Sequence, residues 1–202
     1  MRLTAEMMRD NALFAAGILK NEIGGKSIKP YQPAGLWEIN NTSYKPDSSD
    51  IVYKRSMYIV VKRSVLNPTL GTFDGSSRSS CEIRRQKTNT PLQALVTQND
   101  PTYLEASKIL GEQMAAIHDE RTAIISTYRK LTGKLLNAKE LGILLDLQRK
   151  QIAKFQTNTS KMIGWQKAGF YKLNPTLDPV KIVANAVVAN VIMNSDACLT
   201  KR

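Results

Sequence analysis

Residues Cys81–Ala106, CEIRRQKTNTPLQALVTQNDPTYLEA, gather the groups best suited to chemistry. Arg84, Arg85 and Lys87 run into Thr88, Asn89 and Thr90, immediately ahead of a proline-initiated helix. The first turn of a helix leaves backbone N–H groups unpaired at the positive end of its dipole, so it attracts anions. Arginine adds a planar fork that grips carboxylate, sulfate or phosphate through parallel hydrogen bonds. The stretch is therefore a candidate anion site, with Asp74 nearby in sequence and Trp37 as a stacking surface. A structural reading competes with it. Thr90 and Gln93 can close the helix start themselves as a capping box, and the arginines can tie a long loop to the core or meet Asp74 or Glu82.

Other chemistry is thinner. Glu6 and Asp10 stand four apart, hence on one helical face, a spacing compatible with paired carboxylates for acid and base work but equally with exposed ion pairs. Tyr31, Trp37 and Tyr44 can stack sugars or pin a loop to the core. His118 falls between two expected helices with no nucleophile or carboxylate pattern around it. With one histidine and only Cys81 and Cys198, no zinc site or c-type haem attachment motif is present, and no metal site is expected. The two cysteines are compatible with one disulfide or with two buried thiols. No GxSxG, P-loop or GxGxxG occurs, so no catalytic residue is assigned.

The chain has 202 residues, and 29 Lys and Arg against 17 Asp and Glu give a net charge of +12. Residues 1–50 hold six of each sign, so the whole excess lies beyond them. Such an excess favours acidic partners. The basic residues interleave with few aromatics and form no nucleic-acid-reading motif, which argues against nucleic acid. Anionic polysaccharide and a membrane surface are the other acidic partners such a charge suits. No apolar stretch reaches the roughly 18 residues of a membrane span, and the N-terminus lacks the apolar core of a signal peptide.

These residues must be positioned by a mainly α-helical single domain with two long irregular loops. Leu3–Leu19 reads as a helix capped by Thr4. The Gly- and Pro-rich stretch 21–50 reads as irregular. Residues 50–70 are ambiguous; β-branched residues favour a strand, yet Met57, Val61 and Val65 share a helical face, and a helix is the expectation. Residues 71–89 form a second, polar loop. From Thr90 onward, Thr90-Pro91, Asp100-Pro101, Asp119, Asn137 and Asp178-Pro179 announce five or six helices joined by short connections. The organisation is then a helix with long loops over 1–89 and a helical group over 90–202. The chain also reads as the C-terminal fragment of a larger multidomain protein.

Four stretches carry a resemblance: PYQPAGLWE from Pro30, KRSMYIVVKRSV from Lys54, Phe73-Asp74, and above all CEIRRQKTNTPLQALVTQNDPTYLEAS from Cys81. They resemble the C-terminal domain of unknown function of large secreted planctomycete and Bacteroidetes proteins, which commonly carry an N-terminal cytochrome c domain. Val61 stands where that family commonly has a larger aromatic residue. The resemblance implies an exported protein of the periplasm or cell surface, with other domains of the parent protein as partners. It places haem c in another domain, with no cofactor in this chain, and makes a Cys81–Cys198 disulfide more plausible. The expectation is a non-catalytic binding or interaction module that recognises an anionic ligand such as an acidic glycan. The alternative is part of a glycan-active or redox enzyme, with Asp74, Arg84, Arg85 and Asn89 positioning substrate in a site completed by other domains.

Overall fold

A computed structural model describes residues 2–37 and 43–200. Helix α1 (Ala5–Ala16) starts where Thr4 Oγ1 accepts from Met7 N–H at 3.3 Å and stops at Gly17, whose φ of 79° few other residues adopt. It presents Ala5, Met8, Ala12, Leu13 and Ala16 to the interior, and Arg9 is buried beside them. Its small residues let α1 approach the centre of the fold closely.

Arg9 decides the conformation of the ambiguous segment. Its guanidinium donates to the carbonyls of Lys54 (3.0 Å) and Val52 (2.5 Å) and to Ser56 Oγ (3.2 Å). Ile28 N–H donates to Tyr58 O, and Val60 N–H to Ile28 O, in an isolated parallel bridge. Carbonyls and amides engaged in this way are withdrawn from an i→i+4 ladder. The expected helix over 50–70 is accordingly replaced by two 3-10 turns, Asp50–Tyr53 and Ser56–Tyr58, and extended links. Only α2 (Pro68–Thr72) is helical there, started by Asn67 Oδ1 accepting from Thr69 and Leu70 N–H.

The remaining helices are α3 (Pro91–Asn99), α4 (Pro101–Ala115), α5 (Glu120–Thr132), α6 (Ala138–Thr157), α7 (Ile163–Lys167), α8 (Pro179–Met193) and α9 (Asp196–Leu199). Asp100, Asp119, Asn137 and Asp178 cap their helices as the sequence predicts, and Asn137 forms a full capping box with Glu140. Thr90 does not. Its side chain makes no capping bond, and Gln93, the expected other half of the box, is buried and turned toward loop residues. The connection between α6 and α8, residues 158–178, is a third long one that the expectation of short connections missed.

Among the described residues the architecture is mainly helical, one domain built around α4 and α8. Tyr103, Ala106, Ile109, Leu110 and Met114 interlock with Val188, Ala189, Ile192 and Met193, and α1, α5 and α6 close around them. The two axes come close at Gly111, where an added Cβ would lie 2.4 Å from Ile182 O and 2.6 Å from Ala186 N. A smaller cluster of Ala5, Met8, Ile28, Ile59, Leu70 and Phe73 packs the long loops beneath α1. Gly111→Ala is expected to force α4 and α8 apart and to cost about 1–3 kcal/mol in urea unfolding. Gly142→Ala, in α6 with nothing within 4 Å of the new methyl group, is expected to stabilise by about 0.5–1 kcal/mol. Equal effects from the two changes would contradict this packing.

Candidate functional site

The basic loop 73–90 is stitched by a short polar chain. Asp74, in the left-handed region at φ 59°, turns its carboxylate to accept from Thr88 N–H (2.7 Å) and Thr88 Oγ1 (2.9 Å). Thr88 Oγ1 in turn accepts from Gln93 Nε2 (3.0 Å), which also donates to Thr72 O (2.9 Å), while Gln93 Oε1 receives Arg2. Gln93 is only 2% exposed, so each of its bonds is made away from water. Arg85 reaches across to α1, its Nη1 lying 2.9 and 2.8 Å from the two Glu6 oxygens. Burial alone would raise the Glu6 pKa, but Arg85 and the nearby backbone and Thr4 outweigh it and hold Glu6 below its ordinary 4.5. The Arg85 guanidinium is correspondingly raised, chiefly by its bond to Glu6.

The sequence-derived site is thereby divided. Asp74, Arg85 and Thr88 come together and are engaged with one another's neighbours, around a recess of only about 30 Å³. That holds one or two waters and no sugar. Arg84, Lys87, Asn89 and Thr90 are exposed, Lys87 at the edge of the recess and the other three not lining it. Trp37 does not line the recess; it packs edge-on against Tyr44 at 4.9 Å, with Lys62 Nζ 4.8 Å and Lys29 Nζ 5.9 Å from its ring centroid.

The paired-carboxylate reading of Glu6 and Asp10 is replaced by two separate tasks. Glu6 takes Arg85, whereas Asp10 Oδ1 accepts from Ser56 N–H and Oγ, both at 2.7 Å. The cysteines form neither a disulfide nor a buried pair. Cys81 is exposed on the basic loop and Cys198 is buried, and both are free thiols. Burial pushes the Cys198 thiol up to about 11 despite the Asn11 amide beside it. His118 is exposed at the α4–α5 turn.

Sequence reasoning missed a second polar assembly, on α4. Glu105, Lys108 and Glu112 lie one helical turn apart along one face. Glu105 Oε1 accepts from Tyr53 OH (2.7 Å) and from the N–H groups of Phe170 and Tyr171 (2.6 Å each). Lys108 Nζ donates to the carbonyls of Ala168 (2.5 Å), Tyr171 (2.8 Å) and Gln166 (3.3 Å). Glu112 takes Tyr171 OH (2.7 Å) and Asn174 N–H (2.8 Å). Desolvation lowers the Lys108 pKa, with Glu105 and Glu112 opposing it. Three charges in an otherwise apolar helix read in sequence as a solvated stripe. The usable signal was Gly169, where any Cβ would meet the Glu105 carboxyl carbon at 2.0 Å.

The arrangement defines a helical domain whose conspicuous charged side chains mostly position backbone. Among the described residues no group of three His, Cys, Asp or Glu side chains is placed to hold a metal ion, and no helix is long and apolar enough to cross a membrane. Residues 1–148 match the family described as PSD1, protein of unknown function (DUF1553), and the chain belongs to that family. No curated protein and no solved structure matches it.

Two measurements check the loop stitching. The stability advantage of wild type over Glu6→Gln is expected to be present above pH 4.5 and to vanish as pH falls through the lowered folded-state pKa of Glu6. With both partners partly exposed, its size should be about 0.5–1 kcal/mol. Gln93→Ala leaves Thr72 O and Thr88 without their buried donor and should cost about 1–3 kcal/mol. Urea unfolding across pH reads both; a pH-independent Glu6→Gln difference would contradict the latch.

Proposed function

We propose that this domain is a non-catalytic interaction module of an exported, cytochrome-c-associated protein. It packs against other domains of its parent chain or a partner, and its basic surface engages an anionic ligand such as an acidic polysaccharide. One observation carries the reading: the carboxylates and arginine that could have formed a reaction centre are engaged in holding loops, while apolar and cationic side chains remain outside. Asp10, Asp74, Arg85, Glu105 and Glu112 all act on loop backbone or on a structural partner. Catalytic acids and bases need free geometry toward a substrate, which none of these has.

The outer surface is of a different kind. A recess of about 540 Å³ lies between α5, α6, α8 and α9. Leu135 (79% exposed) and Ile143 (60% exposed) stand at its edge. Exposed apolar clusters of this sort mark interaction surfaces. Phe14 and Met7 on α1, and Leu92 and Leu95 on α3, add further exposed apolar groups. The net charge of +12 supplies long-range attraction for a polyanion, with exposed Arg84 and Lys87 at its disposal.

Thermal unfolding of the chain titrated with polygalacturonate at fixed ionic strength tests this. A ligand that binds only the folded state stabilises it by about 2.7 kcal/mol at one hundred times Kd. The midpoint is expected to rise with polymer, less so at high salt, and less in Arg84→Ala/Lys87→Ala, with no sugar released. A midpoint unmoved by any polyanion, or release of oligosaccharides, would overturn the reading.

A further inference from the structure

The connection 166–174 is held with unusual thoroughness for a surface loop. Glu105, Lys108 and Glu112 fix the backbone at Gln166, Ala168, Phe170, Tyr171 and Asn174. Glu105 is 3% exposed and Lys108 1%. Burying ionised groups costs several kcal/mol each before their hydrogen bonds offset it. Apolar side chains would anchor a merely structural connection at lower cost. At the tightest point only glycine fits, since Gly169 has φ 69° and its missing Cβ leaves the room that the Glu105 carboxylate occupies. A loop fixed in this way presents its outer side chains in one arrangement, which reduces the entropy lost when a ligand binds.

What it presents is chemically specific. Phe170 is 53% exposed, although its backbone N–H is buried against Glu105. Lys167 and Lys172 are exposed on either side of it. Among the described residues neither lysine forms an ion pair. Residues 158–181 contain four lysines and one acidic residue, Asp178, whose carboxylate caps α8. Lys167, Phe170 and Lys172 line a recess of about 640 Å³ together with Leu173, Leu177 and Ile182, a size common to small-ligand sites.

We infer that this recess is a binding site for a short acidic saccharide, with Phe170 stacking on the apolar face of a sugar ring and Lys167 and Lys172 taking its carboxylate or sulfate groups. An exposed phenyl ring beside ammonium groups suits a ligand that joins an apolar face to an anion. Gln166, whose side chain is exposed at the rim, adds an amide for hydroxyl groups. A single-stranded nucleic acid would call for successive stacking platforms and arginine, and the recess offers Phe170, a Tyr171 whose hydroxyl is tied to Glu112, and no arginine. The inference rests on the reading that the domain engages an anionic ligand, and adds to its diffuse electrostatics a short-range selective site outside the basic loop.

Trigalacturonate titrated into the full chain in about 0.15 M salt, where diffuse attraction is largely screened, tests it by amide chemical shifts. Shifts are expected to concentrate in residues 166–174. Phe170→Ala and Lys167→Glu/Lys172→Glu, both changes of exposed side chains that should leave the melting temperature nearly unchanged, are each expected to weaken binding by about tenfold or more. Arg84→Ala/Lys87→Ala should bind the trimer as wild type does. Equal binding of neutral galactotriose, or a stronger response to an oligodeoxynucleotide, would overturn the assignment of ligand. Loss confined to Arg84→Ala/Lys87→Ala would overturn this site while leaving the basic-surface reading intact. Failure of both trimer and polymer to bind would overturn both.

Discussion

Helix α4 is enclosed by α1, α5 and α8 and by the 166–174 connection, and its buried Ser107, Glu105 and Lys108 meet partners from other parts of the chain, whereas the buried Tyr103 hydroxyl has none. Ser107 accepts from Asn190 Nδ2 on α8, which also reaches Thr97 O at the end of α3. Glu105 draws in Tyr53 from the first long loop and two amides from the third. Lys108 gathers three carbonyls. Removing one side of such a buried charged contact costs about 3–5 kcal/mol, far more than the contact is worth against an apolar replacement. The loops of this protein are therefore ordered by obligation. The 166–174 connection follows from what α4 buries, the 50–60 segment from Arg9 and Ile28, and the basic loop from Asp74, Gln93 and Arg85.

The same constraint separates the two kinds of surface. Polar side chains of the basic loop that face inward, such as Asp74 and Thr88, are engaged with one another and with Gln93. The outer surface carries exposed Arg84 and Lys87, a half-exposed Phe170 on a fixed loop, and Leu135 and Ile143 at the edge of the α5–α6 recess.

Much of the helical framework was legible because it is written locally. Asp100, Asp119, Asn137 and Asp178 cap their helices by side-chain bonds to residues two or three positions on, and proline follows two of them. The same cap-then-proline pattern stands at Asn67-Pro68, inside the 50–70 segment whose periodicity points instead to a longer helix. Residues 50–65 were misread for a different reason. Their backbone is claimed by Arg9 and Ile28, both more than twenty residues away, and no local pattern records that claim. Thr90 and Gln93 carried every local mark of a capping box, yet Gln93 has a better use in the interior. Glu105, Lys108 and Glu112 illustrate the limit most clearly: helical spacing predicts that they share a face, but only the fold decides whether that face meets water or a loop.

Amide hydrogen exchange of Phe170, Tyr171 and Asn174, compared with Ser77 and Ser79 in the exposed basic loop, tests the central claim most directly. If the buried carboxylates of α4 hold the connection rigid, the first three amides exchange only through opening of the α4 contact, about a hundredfold or more slower than the two serines. Exchange at the rate of the serines would mean that the connection is not held, and that α4 does not order the loops around it.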